Sequence, residues 1–420
     1  MQQHWGSFVT RTWRCQALRR HLSTSSKRVL LARHTGIKVE QGGNLKILCP
    51  ERVATIEITS AWADHCDITV FRIGSNNIPA AESLPVGECS SSVETEDITF
   101  DFEGESGNVV VAIGEADQRD STRVEGKSLE NRPAYLIQAT IPQLFSVETC
   151  AGYGSFQITN KLKGFCKVCL DSGDIEVGTV RGECIELSTG DGRVNANELE
   201  GNIEIYANKV DAKLVNGARV SINSAGLGSC VTLGGIYSPE AIIAAEGEVE
   251  ISSSHGVINV AGENRNVTLW GVNGAAEVST GGGDISVHLE ELEPGTCSQM
   301  RSCLGNISVS VSPEVEADVD ITGTIKKLTE SFLGQAQGNR ALGKTMRQSE
   351  ASVGNNRSRA TSMGKINLLG AREQSLQNFI KEQRHNQVAL PGVMLATEKG
   401  SVSLETLGWA DMIRRKCGLA

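Results

Sequence analysis

The chain is predicted to be all-β: a parallel β-solenoid, β-helix-like, built from two-strand coils of about 19 residues, with a disordered or partly helical insert near the C-terminus. Three observations carry that prediction. First, a glycine followed by a free residue, an apolar residue, another free residue and another apolar residue recurs eleven times. It begins at Gly154, Gly164, Gly173, Gly192, Gly201, Gly247, Gly256, Gly274, Gly283, Gly305 and, after a gap, Gly400. Second, most of these motifs step by nine or ten residues. Third, only 4% of residues are aromatic, as suits a narrow aliphatic interior.

Side chains alternate faces along a strand, so the two apolar positions of each motif share the core face. Gln157, Lys167, Glu176, Asn195, Glu204, Glu250, Glu277 and Ser286 then face water. Glycine supplies the backbone freedom of a sharp corner, and turn formers surround it, as in Asp171-Ser172-Gly173-Asp174 and Thr189-Gly190-Asp191-Gly192. A five-residue strand buries too little to fold alone, so stability must arise between stacked neighbours about 4.8 Å apart. Antiparallel hairpins in a sandwich would also place strands at this interval. The near-constant period and corner glycines favour coils, because Greek-key loops vary more in length.

Residues 1–35 read as a mitochondrial targeting presequence. The first acidic side chain is Glu40, whereas Arg11, Arg14, Arg19, Arg20, Lys27, Arg28 and Arg33 lie among many Ser and Thr. Arg20 through Ser26 resembles a processing site, and the expected location is the mitochondrial matrix. Residues 36–150 form an irregular N-terminal β region or cap, and residues 151–324 hold the repeats. Residues 325–390 are a basic low-complexity insert, disordered through Ser362, with a short helix expected over 371–385. Residues 391–420 return a strand at Gly400 and end in a tail. The insert is expected to leave the body between its penultimate and final strands.

Charge is unevenly distributed. Residues 35–324 carry 18 basic and 43 acidic side chains, and residues 325–390 carry 11 basic and 4 acidic. An acidic body disfavours nucleic-acid binding, since its field repels phosphates. No apolar run approaches a membrane span.

Candidates for chemistry are few. Outward Glu186 and Glu204 become neighbours if the coil length is right, and adjacent like charges can raise one pKa toward a general-acid role, with Lys167 one coil away. Cys166-Lys167-Val168-Cys169 is the one CxxC among twelve cysteines. Cys166 and Cys169 are the candidate metal ligands, but three residues along a strand reverses the face, so the sulfurs diverge unless the backbone bends. Gly281-Gly282-Gly283-Asp284 has a calcium-solenoid spelling that occurs once, whereas such sites need it on successive turns. Asn266, Asn306 and Asn356 begin glycosylation triplets, which import into mitochondria would leave unused. His65, His255, His288 and His385 form no recognisable constellation. No cofactor is implied.

Leu170-Asp-Ser-Gly-Asp-Ile-Glu-Val177, Leu187-Ser-Thr-Gly-Asp-Gly-Arg-Val194, Leu199-Glu-Gly-Asn-Ile-Glu-Ile205 and Val278-Ser-Thr-Gly-Gly-Gly-Asp-Ile-Ser-Val287 resemble the putative-adhesin repeat family. This is a β-solenoid domain of unknown function with mitochondrially targeted eukaryotic members. The resemblance implies the fold and supplies no catalytic residue. The combined expectation is a non-enzymatic scaffold that presents an acidic strand face to an unidentified protein partner, in an oligomeric state left open. The competing expectation is a carbohydrate-active or other hydrolase that uses outward carboxylates.

Overall fold

The computed structural model describes residues 28–39, 42–73, 98–103, 107–113, 134–226, 228–315, 317–328, 364–368 and 391–417. Its strands share one hydrogen-bonded network. The N-terminal end comprises β1 (Arg28–Lys38), β2 (Asn44–Ala61), β3 (His65–Ile73), β4 (Ile98–Glu103), β5 (Asn108–Ile113) and β6 (Ala134–Pro142). The first half of the body is β7 (Ser146–Leu162), β8 (Cys166–Thr189), β9 (Arg193–Ala207), β10 (Lys209–Asn216), β11 (Val220–Ser224) and β12 (Cys230–Ala245). The second half is β13 (Glu248–Ile251), β14 (Ser254–Gly262), β15 (Val267–Thr280), β16 (Ile285–Glu291), β17 (Cys297–Ser302) and β18 (Ile307–Val311). The C-terminal end holds β19 (Ala317–Leu328), β20 (Gly364–Leu368), β21 (Gly392–Thr406) and a helix, α1 (Trp409–Lys416).

Pairing through the body is parallel and in register. Ile175 faces Val194, which faces Val210, which faces Val231, and this ladder continues through Val249, Val267, Ile285, Ile307 and Val402. A second ladder runs from Ile185 through Ile203, Val220, Ala241, Ile258 and Ala276. The sequence predicts these two. A third, shorter ladder, which it does not predict, lies between them: Val180, Leu199, Val215, Ile236, Ser254, Val272, Leu289 and Val311. Each repeat therefore holds three stretches, two long and one short, in place of the expected two. The apolar pairs of all eleven motifs are buried, none more than 3% exposed, and they belong to one continuous core.

Corner glycines stack in columns. At Gly173 (φ +133) a Cβ would overlap the carbonyl oxygen of Gly154, and at Gly201 (φ +145) that of Gly182. Both reasons exclude a side chain: the backbone is in a region that other residues avoid, and the layer below leaves no room. A hydroxyl often accompanies the corner. Thr189 donates to the carbonyl of Gly173 at 2.8 Å, Ser302 to that of Gly283 at 3.1 Å and Thr397 to that of Gly305 at 3.2 Å. These bonds give backbone oxygens at the turn a side-chain donor.

Both ends depart from sequence order. β2 lies between β7 on one side and β5 and β6 on the other, so Ile56 faces both Phe156 and Ile137. At the other end β21 lies between β17 and β18 on one side and β19 on the other. The motif at Gly400 returns a strand, and in space that strand lies inside β19, which carries β20 on its far edge. The ladders also turn antiparallel at the ends, in β3–β6, β1–β3, β4–β5 and β19–β20. Such a switch breaks the parallel template that a bare end would offer.

β19 continues to Leu328, and 364–368 form a strand against β19. The helix expected over 371–385 lies outside the described residues, as do His385, Asn356 and the first 27 residues of the expected leader. β1 begins at Arg28, inside the leader's expected boundary. The tail after β21 contains α1, which the sequence reading does not anticipate.

Gly173→Ala and Gly201→Ala are each expected to lower stability by about 1–3 kcal/mol from backbone strain alone, and by more because a carbonyl must also move. Gly408→Ser, at the open N-cap of α1, is expected to be neutral or slightly stabilising. Denaturant midpoints check both; a wild-type midpoint for Gly173→Ala would contradict the packing described.

Candidate functional site

In-register pairing converts sequence positions into columns of outward side chains. On the second ladder one column reads Lys46, Glu148, Lys167, with Glu186 and Glu204 beyond it. Lys46 pairs with Glu148 at 2.9 Å and Lys167 with Glu186 at 2.7 Å. Glu186 and Glu204 face each other as direct parallel partners, so the two residues singled out from sequence do come together. Their chemistry is already engaged, however. Glu186 holds the Lys167 ammonium, and Glu204 accepts a 2.8 Å hydrogen bond from the Tyr206 hydroxyl on its own strand.

Those partners respond accordingly. The hydrogen bond and charge of Glu186 push the Lys167 ammonium above its ordinary pKa, and the hydrogen bond to Glu204 raises the Tyr206 phenol. The pairs are half-buried to exposed, and surface pairs of this kind contribute roughly 0.2–1 kcal/mol each. Alternating sign along the column keeps outward charges from repelling one another in register. Tyr206 was legible: it lies two residues after Glu204 on the same face.

Cys166 and Cys169 diverge as strand alternation requires. Cys166 is in the core, where burial, with a smaller push from Cys184, drives its thiol up to about 12. Cys169 is on the outer face, in register with Cys150. Burial chiefly raises its thiol as well. Among the described residues no group of three His, Cys, Asp or Glu side chains is placed to hold a metal.

Asp284 of the glycine-rich turn is also employed. Its Oδ1 accepts the backbone N–H of Asn306 at 2.7 Å, while Asn266 Oδ1 accepts that of Asp284 at 3.0 Å and Asn306 Oδ1 that of Ser401 at 3.1 Å. Two asparagines of glycosylation triplets and the aspartate of the calcium-like spelling thus form one ladder of corner caps, each holding the layer above.

Two histidine environments escaped the sequence reading. The rings of Tyr237 and His255 stack with centroids 4.4 Å apart, and Asn273 lies 3.5 Å from His255. Near α1, His288 Nδ1 and Ser310 Oγ are 2.9 Å apart, both buried. Ser310 pairs with Glu405 on the next strand. Glu405 in turn takes hydrogen bonds from Lys327 at 3.1 Å and from Arg415 of α1. Burial lowers the His288 pKa, aided by Arg415 and opposed by Glu290. The Arg415 hydrogen bond holds the Glu405 carboxyl below its ordinary range. With Met412 buried, α1 is anchored by one apolar side chain and one buried carboxylate.

No family model matches the chain, and no curated protein matches it. Among solved structures it is similar to a putative cell adhesion protein from Clostridium sporogenes ATCC 15579, at 7% identity and TM-score 0.19, covering 91% of this chain and 100% of that one. It is also similar to a putative adhesin from Bacteroides fragilis NCTC 9343, at 13% identity and TM-score 0.24, covering 91% of this chain and 98% of that one.

Glu405→Gln is expected to cost roughly 1–2 kcal/mol and to loosen α1. Since the folded-state pKa of Glu405 lies below the ordinary 4.5, its contribution is complete above that pH and is lost as pH falls through the folded value. The stability difference between wild type and variant should therefore vanish on acidification. A difference that persists unchanged at low pH would contradict the anchor.

Proposed function

We propose that the chain is a non-enzymatic β-solenoid of the mitochondrial matrix, in which the three ladders are the sides of successive coils and the outward columns present charge to a protein partner. The observation that carries this reading is the in-register ladder itself. From β8 to β18 partners on neighbouring layers are 16 to 22 residues apart, so a chosen outward position recurs at one strand spacing and becomes a rigid comb. On the first ladder that comb includes exposed Glu176, Asp211 and Glu250, with Asn195 and Thr232 between them. Residues 35–324 carry 25 more acidic than basic groups, and a partner with a basic surface is the complement.

The domain reading keeps the boundaries given above except the leader's, which is moved from residue 35 to ahead of β1. Cleavage between Arg20 and Arg28 would leave β1 whole. In the engaged state of Glu186 and Glu204, neither carboxylate serves as an unpaired acid or base, which weighs toward binding over hydrolysis.

Glu176→Lys, Asp211→Lys and Glu250→Lys in one chain are expected to leave folding intact, because all three side chains are exposed, and to abolish partners recovered from mitochondria in a salt-sensitive manner. An unchanged partner set would refute the acidic comb. N-terminal sequencing of the mature chain is expected to begin between residues 20 and 28; recovery of an unprocessed chain outside mitochondria would refute the location.

A further inference from the structure

We propose that the N-terminal end of the stack docks on an anionic bilayer surface through three stacked turns that carry Trp62, Leu144 and Phe165 beside Lys163. This goes beyond the partner-binding comb, uses different residues and predicts a lipid ligand.

The turns are locked to each other by the backbone. Gln143 donates its N–H to the carbonyl of Ala61 at 3.1 Å, Lys163 donates to that of Gln143 at 2.6 Å, and Val147 donates to that of Phe165 at 2.9 Å. Gly164 has no room for a Cβ, which would overlap the carbonyl oxygen of Phe145. The result is a rigid corner from which side chains project one strand spacing apart. Trp62 is 83% exposed, Leu144 38% and Phe165 37%. The Trp62 exposure is the anomaly: a large amphipathic ring placed almost wholly in water, when most such rings are largely covered.

The Lys163 ammonium lies over the Trp62 ring, 5.5 Å from its centroid. Half-buried Lys161 lies two residues earlier, near the end of β7. Apolar tips with cations at the same height match the layering of a membrane interface, where Trp settles at the headgroup level and Lys meets lipid phosphate. A concave protein partner would need a pocket to receive three projections; a fluid bilayer receives them without one.

Acidic neighbours limit the surface. Asp64 and Asp67 flank Trp62 on the β3 side, where His65 lies 3.2 Å and 3.9 Å from them and Lys38 also acts on Asp64. Along the corner the apolar tips end at exposed Glu183. The net negative charge of the body repels an anionic surface as it does other phosphates, and screening confines that repulsion to about 8–10 Å, so the contact depends on Lys161 and Lys163 at this corner. Among the described residues no helix is long and apolar enough to cross a membrane, so the contact is peripheral.

The test is vesicle flotation with a chain beginning at Arg28. It keeps every described strand and removes a basic leader that could bind lipid by itself. Vesicles of equimolar phosphatidylcholine and phosphatidylglycerol are compared with phosphatidylcholine alone. Wild type is expected to float with the anionic vesicles, less as salt rises, and to shift its tryptophan emission to the blue. Trp62→Ser and Lys163→Glu, both at exposed positions, are each expected to weaken flotation by about tenfold with unchanged circular dichroism. Three outcomes overturn the proposal: no flotation at low salt, flotation unaffected by both variants, or self-association through Trp62 in the absence of vesicle binding. The Glu176, Asp211, Glu250 variant should float as wild type does, which separates this proposal from the comb.

Discussion

In-register parallel pairing across corners that exclude side chains is the constraint from which the structure follows. When Gly173 meets the carbonyl of Gly154 and Gly192 meets that of Gly173, adjacent layers approach to backbone contact, and the register of the next strand is fixed at the turn. Once register is fixed, inward pairs such as Ile175–Val194 and Ile203–Val220 must meet. Each stretch needs only one to three inward aliphatic side chains because its neighbours above and below complete the burial. The corner hydroxyls and the Asn266–Asp284–Asn306 caps serve the same geometry, since every layer must satisfy polar backbone groups that face out of the ladder.

The same register governs the surface. Outward positions cannot be chosen one at a time, because each stands over another of the same phase. Lys46, Glu148, Lys167 and Glu186 alternate in sign and pair along the column. Where charge would otherwise repeat, as between Glu186 and Glu204, a tyrosine hydroxyl takes the second carboxylate. The corner at Trp62 breaks this polar habit, and for that reason it stands out as a place of contact.

Much of this was legible in the chain. Gly-x-apolar-x-apolar specifies both the bend and the buried face, so the inward and outward residues of all eleven motifs could be assigned, and the spacing of Glu186 and Glu204 foretold that they would meet. The short ladder through Val180, Leu199 and Val215 was not legible, because one inward residue per layer leaves no alternating pattern to detect. Strand order at the ends was hidden for a different reason. The motif at Gly400 specifies a strand that can stack, and nothing local distinguishes the layer beneath β19 from the layer beyond it. The engagement of the two glutamates was hidden too, since it depends on the reach of Lys167 and Tyr206 and not on spacing. Helix α1 was missed because it is short and its anchors, buried Met412 and the Arg415–Glu405 pair, leave no extended helical pattern in the sequence.

The threading of β2 and β21 has a consequence for how the molecule is made. Thr59 meets Thr159 across a separation of 100 residues, and Ser401 meets Asn306 across 95. A chain emerging from its N-terminus can pair β2 with β5 and β6 but must leave its other edge open until β7 appears, while the gap below β19 must stay open for the last strand to enter. Layers in the middle can zip up one upon another, but neither end can close until most of the polypeptide is present. The finished stack is stapled at both extremities by segments distant in sequence, so fraying cannot proceed from a tip one layer at a time.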